Sequence, residues 1–142
     1  MFDWDPIQSI IDNAAIRDHN EKVSAGHVLR YWAEMNAVEK QFPYKPDEPM
    51  VDVMAAKLEV HEKYWMPSDD NYWKPCSHGN QEQYAVADIE SIDVLTDFRI
   101  SFIVRIKIRS DSKRFGKKDI LYLLQTEDGS EEGPVRIVNE FH

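Results

Sequence analysis

The sequence predicts an α+β domain in which three N-terminal helices pack on a curved four-stranded antiparallel meander. Two observations carry this reading. Apolar residues recur three and four apart over roughly the first 65 positions, as one face of a helix requires. From Tyr84 to Phe141 the spacing becomes two, which marks strands with one buried face. Helices first and consecutive strands afterwards place the helices on one face of an antiparallel sheet. At 142 residues the chain fits one domain, residues 1–142.

The first helix is signalled by Asp5 as N-cap and Pro6 at its first position, with Ile7, Ile10, Ile11, Ala14 and Ala15 on one stripe. Polarity takes over at Arg17-Asp18-His19-Asn20. A second helix is expected from near Ser24, carrying Val28, Tyr31, Trp32, Met35, Val38 and Phe42 inward and ending before Pro43. A third follows the Pro43-Tyr44-Lys45-Pro46 linker, capped by Asp47, with Met50, Val53, Met54, Leu58, His61 and Trp65 as its inward stripe. From Pro67 to Glu82 the composition turns to Ser, Asp, Asn, Pro, Gly and His, a long loop of the kind that often carries function.

The first strand is expected over Tyr84 to Val94, with Leu95-Thr96-Asp97 as a tight connection. In the second, Phe98, Ile100, Phe102, Val104, Ile106 and Ile108 alternate with a largely basic face containing Arg99, Arg105, Lys107 and Arg109. Ile120–Gln125 and Val135–Phe141 complete the meander, joined by a loop whose Gly129 and Gly133 suit a hairpin.

Composition narrows the functional classes. A hydrophobic fraction of 42% with 11% aromatic residues supports a packed core and excludes a disordered chain. No stretch approaches the roughly 18 apolar residues of a membrane span, and the acidic start, Met1 to Pro6, lacks the apolar region of a secretory signal. The lone Cys76 has no internal disulfide partner, so a reducing, cytoplasmic setting is expected. A net charge of −9 argues against nucleic acid as a partner and suits attraction to a basic protein.

The strands Tyr84–Val94 and Phe98–Ser110, the segment Ile120-Leu121-Tyr122-Leu123-Leu124 and the closing Asp128-Gly129 … Val135-Arg136-Ile137-Val138-Asn139-Glu140-Phe141 hairpin resemble the nuclear transport factor two-like (cystatin-like α+β cone) superfamily. Members of that fold serve as small-molecule enzymes, transport adaptors, dimerisation modules and bacterial immunity proteins, so the fold does not select among them. A small, acidic, aromatic-rich domain looks most like an immunity protein that occludes the active site of a cognate, basic toxin domain. The alternative implied by the same resemblance is a small-molecule-binding protein or an isomerase- or hydrolase-like enzyme, and a homodimer through the outer sheet face is a third reading.

Candidate chemistry is sparse. His61, Cys76 and His78 fall short of the four ligands of a structural zinc site, and His61 reads as a core histidine on its helix stripe. Neither a metal nor a cofactor is expected. Cys76 reads as an ordinary thiol, because His78 two residues along a loop seldom faces it. Asp88 or Glu90 would serve as an interior general base if its face of the first strand points inward, and periodicity does not choose between the faces. No catalytic residue is therefore assigned. The strongest candidate surface is the acid-aromatic group Tyr64, Trp65, Asp69, Asp70, Tyr72 and Trp73, since Trp and Tyr dominate interface energetics and carboxylates steer association. The competing reading folds these aromatics back to plug the open end of the core.

Overall fold

The structure is a computed structural model and describes residues 19–41, 51–67, 84–97, 100–110, 119–130 and 134–141. Within them lie two helices, α1 (His19–Gln41) and α2 (Val51–Tyr64), and four strands: β1 (Ile89–Asp97), β2 (Ser101–Ile108), β3 (Asp119–Thr126) and β4 (Val135–Phe141). The strands form one antiparallel sheet in the order β1-β2-β3-β4, so every neighbour in space is a neighbour in sequence. The architecture is α+β, as expected, with two helices rather than three among the described residues. The helix expected from Asp5 to Ala15 lies outside them, as do the Pro43–Asp47 linker and most of the polar loop, residues 68–83.

Helix α1 is described from His19, five residues ahead of Ser24, so His19 and Asn20 of the polar run are helical rather than a break between helices. Strong helix formers such as Ala, Leu, Met, Glu and Lys fill it, and Lys40 lies in its last turn, where a cation complements the helix dipole. It packs against α2 on one side and against β1, β2 and β4 on the other. That double cover explains its wide buried surface, with Ala25, Val28, Leu29, Tyr31, Trp32 and Met35 all inaccessible to solvent.

Helix α2 corrects one expectation. Its buried stripe is Val53, Lys57, Val60 and His61, followed by Trp65, whereas Met54 is 38% exposed. Hydropathy had favoured Met54 and Leu58 because it excludes a lysine from the interior. Lys57 is nonetheless completely buried, its Nζ donating to Glu39 Oε2 at 3.0 Å. The ion pair between two helices rotates α2 away from the face that apolarity alone would select.

Two register shifts correct the first strand. Residues Val86–Asp88 form a single 3-10 turn, and β1 runs from Ile89 to Asp97, so Leu95-Thr96-Asp97 is strand rather than turn. Ile89 pairs with Ile108 and Ser91 with Lys107, leaving Glu90 as an extra residue, a β-bulge. The bulge lets Ile89 and Ile92 both face the core despite their odd spacing, and Glu90 is exposed. Neither alternative periodicity read from the sequence is right, because one strand uses both.

In β2 the expected alternation holds from Phe102 to Ile108, with Phe102, Val104, Ile106 and Ile108 buried, while Ile100 lies ahead of the strand and is 39% exposed. Strand β3 buries Ile120, Tyr122 and Leu124 on the same face. β4 spans Val135–Phe141, as expected. The β3–β4 turn opens with Asp128, whose Oδ1 accepts from the Ser130 amide at 3.0 Å, and Gly129 takes φ 76°, a left-handed value that suits glycine.

After α2 the chain lies along β4. Trp65 forms a parallel bridge with Ile137, and the Met66 amide donates to the Ile137 carbonyl at 2.8 Å. This segment occupies part of the β4 edge, which would otherwise offer unpaired backbone groups to another strand.

Candidate functional site

Two places concentrate polar chemistry: the interior between α1 and the sheet, and a groove where α1, the end of α2 and β4 meet.

The interior is built around tyrosines. Trp32 Nε1 donates to the Tyr122 hydroxyl at 2.6 Å, and that hydroxyl donates to Glu140 Oε2 at 2.7 Å. Glu140 reaches this position because β4 carries a bulge. Leu124 pairs with Ile137 but Leu123 pairs with Asn139, so Val138 is the extra residue and Glu140 faces the same side as Tyr122. Burial first, and then the Glu140 carboxylate, hold the hydroxyls of Tyr84 and Tyr122 protonated well above the ordinary tyrosine range. Tyr31 makes edge contacts with Tyr84, Tyr122 and Trp65, while Trp32 meets Tyr84 edge-on at 5.4 Å between centroids.

His61 is buried and stacked on Trp65 with ring centroids 4.4 Å apart. Desolvation lowers its pKa to about 4 against the opposing pull of Glu140, so its imidazole is neutral at physiological pH. The Lys57–Glu39 pair completes the interior. Glu39 Oε1 accepts the Tyr84 amide at 3.0 Å, and the Lys57 ammonium lies 5.6 Å from the centre of the Tyr84 ring. Tyr31, Trp32, Tyr84, Tyr122, His61, Lys57 and Glu39 lie buried between helices and sheet. Neither Asp88 nor Glu90 enters this interior: Glu90 is exposed and 3.5 Å from Lys107, and Asp88 sits in the 3-10 turn. The sheet carboxylate that reaches Tyr122 is Glu140. Sequence reasoning missed it because the Val138 bulge inverts the alternation of β4, which no periodicity signals.

The groove has a volume of about 460 Å³ and is walled by Lys22, His27, Arg30, Lys63, Glu127 and Arg136. Arg136 organises it. Its Nε donates to Glu127 Oε1 at 2.9 Å, and its Nη1 donates to the carbonyls of Glu62 and Trp65, both at 3.0 Å. The guanidinium thus caps the carbonyl end of α2, where the helix dipole is negative. His27 Nε2 donates to the Tyr64 carbonyl at 2.9 Å, so its hydrogen is on Nε2 and its Nδ1 carries the lone pair. Burial lowers the His27 pKa; the Tyr64 bond opposes this, and the neighbouring charges of Arg136 and Arg30 add to the lowering.

Of the residues expected to bind a partner, Trp65 turns inward and is only 4% exposed, as its place on the helix stripe and the competing plug reading expect, which takes it out of the surface patch. Its place is dictated by the β4 bridge and the His61 stack. Tyr64 is half-buried, its hydroxyl donating to Glu34, which also accepts from Lys63 at 3.1 Å. Asp69, Asp70, Tyr72 and Trp73 lie outside the described residues, as do Cys76 and His78. Among the described residues no three His, Cys, Asp or Glu side chains converge in a way that could hold a metal ion, and no helix is long and apolar enough to cross a membrane.

On the sheet's outer face, Arg105 meets Asp93 across β1 and β2 through two bonds, the shorter at 2.7 Å. Beside them lie half-buried Ile103, Leu121 and Leu123, with Phe141 47% exposed next to Leu121. The described residues therefore define a two-layer α+β fold with a buried aromatic interior, a cationic groove and a partly apolar outer face. Comparison with protein-family models, with curated proteins and with solved structures finds no match for this chain.

Proposed function

We propose that the chain is a protein-binding module that neutralises a basic partner by occlusion, as an immunity protein does a cognate bacterial toxin, in the cytoplasm. The observation that carries the binding reading is the aromatic packing of the described interior. Tyr31, Trp32, Tyr122 and Phe102 are all buried between helices and sheet, the side on which an enzyme of a cone-shaped α+β fold would seat its substrate. The net charge of −9 supports a basic partner, since an acidic surface accelerates encounter and fixes orientation. The toxin-neutralising part rests on the family resemblance of the meander.

Co-expression with the toxin domain encoded beside this chain's gene tests the reading. A one-to-one complex, loss of toxin activity and an association rate that falls with added salt are expected. A toxin that stays active and separates on a column defeats it. The interface is placed by combining Trp73→Ala with Asp69→Asn and Asp70→Asn; unchanged affinity of this triple variant moves the interface elsewhere.

The half-buried Ile103, Leu121 and Leu123 and the exposed Phe141 favour a second reading, a homodimer through the outer sheet face. A sedimentation measurement that finds monomer at every concentration removes it.

A further inference from the structure

The groove at the end of α2 concentrates positive charge on an acidic chain. Among the described residues Lys22, Arg30, Lys63 and Arg136 line it beside Glu127, with Lys63 also paired to Glu34 at 3.1 Å, while the whole chain carries −9. Two of these cations have unspent capacity. Lys22 is exposed and has no ion-pair partner among the described residues. Arg136 is held rigidly through Nε and Nη1, and its Nη2 has no protein acceptor among the described residues. Gly26, on the α1 wall between Lys22 and Arg30, also lines the groove and contributes no side chain to it.

We propose that this groove binds a small, multiply charged oxyanion, one bearing phosphate or carboxylate groups. Arg136 offers a fixed guanidinium edge, Lys22 and Arg30 add positive charge along the same wall, and the volume of about 460 Å³ suits a molecule of metabolite size. A planar guanidinium already oriented by its other bonds loses little freedom when it meets an oxyanion, which is the advantage of a preorganised site.

His27 gives the site a pH signature. Facing it are Arg30 and Lys22 from its own helix, the Tyr64 ring and carbonyl and Lys63 from α2, and Arg136 and Glu127 from the β3–β4 hairpin. With cations around it and burial against it, the imidazole is neutral when the groove is empty. A bound oxyanion favours the protonated ring, so binding takes up a proton and tightens as pH falls.

Titration of the 15N-labelled protein with inorganic pyrophosphate or with citrate, at low ionic strength, is the test. Saturable shifts of the Gly26 and His27 amides and of the Arg136 Nε–H are expected with at least one of them, and their ranking separates a phosphate ligand from a carboxylate one. The exposed double variant Lys22→Glu with Arg30→Glu should weaken binding by about tenfold or more while leaving the rest of the spectrum in place. Sulfate, whose charge is constant between pH 8 and pH 6, should bind more tightly at the lower pH, and His27→Gln, which keeps a donor for the Tyr64 carbonyl, should flatten that dependence. Absence of saturable groove shifts with both pyrophosphate and citrate overturns the proposal. So does binding that the double variant leaves unchanged, and a pH dependence that survives His27→Gln removes the histidine from the site. None of these outcomes depends on whether a toxin partner is found.

Discussion

His61 shows how much one buried side chain can say about conditions. It sits on α2 with no access to solvent, its ring stacked on Trp65, and burial holds its pKa near 4 where the unfolded chain has the ordinary value of 6.5. The folded value is the lower one, so between pH 6.5 and 4 the unfolded state carries more protons and stability falls as the solution is acidified. The slope from this residue approaches about 1.4 kcal/mol per pH unit in that window. His61→Phe keeps a ring against Trp65 and removes the titration. Thermal melts from pH 7.5 down to pH 4.5 should show the variant gaining on the wild type as the pH drops. A difference that stays constant over the range contradicts the assignment. His27 shifts in the same direction and stays present in both proteins, so the comparison isolates His61.

At the scale of elements, the sequence disclosed most of the sheet. β4 matches its expected bounds, and β2 and β3 agree to within a few residues, because a strand with one buried face must alternate. What stayed hidden were the devices that break alternation: the bulge at Glu90, the bulge at Val138 that delivers Glu140 to Tyr122, and the buried Lys57 that turns α2. Each depends on a partner distant in sequence, and hydropathy scores a residue without its partner. The groove was illegible for the same reason. Lys22, His27, Lys63 and Arg136 come from three elements, and only the carbonyl end of α2 brings them together. That junction is testable as an element. Arg136→Ala strips the cap from Glu62, Lys63 and Trp65 and should cost roughly 1–3 kcal/mol in denaturant unfolding. Hydrogen exchange should quicken at the Trp65 and Met66 amides. Arg136→Lys should recover only part of the loss, since a point charge cannot reach several carbonyls and Glu127 together. Equal stability of the alanine variant and the wild type would show that the cap is idle.

For the whole molecule, the Lys57–Glu39 pair is a tie among three parts of the structure. Glu39 belongs to α1, Lys57 to α2, and the amide of Tyr84 leads into β1. Lys57→Met leaves Glu39 buried without its cation and should cost about 3–5 kcal/mol. Adding Glu39→Leu should restore much of that loss, though not all, because the Tyr84 amide then lacks its acceptor. Urea unfolding of the two variants checks the order, and a double variant no more stable than the single one would refute the account. The net charge of −9 acts on the same scale, setting how the chain meets other proteins rather than how it folds.

The Arg136 cap has one more consequence, which concerns time. The guanidinium that finishes α2 lies 74 residues downstream of the Glu62 carbonyl it serves. A ribosome adding about 5–20 residues per second needs roughly 4 to 15 seconds to make that stretch. Two helices can coil in microseconds, yet through those seconds the nascent pair has neither the sheet against its buried aromatics nor a cation at its carbonyl end. The α1–α2 hairpin thus emerges as an unfinished surface, and translation of β4 is the event that closes it.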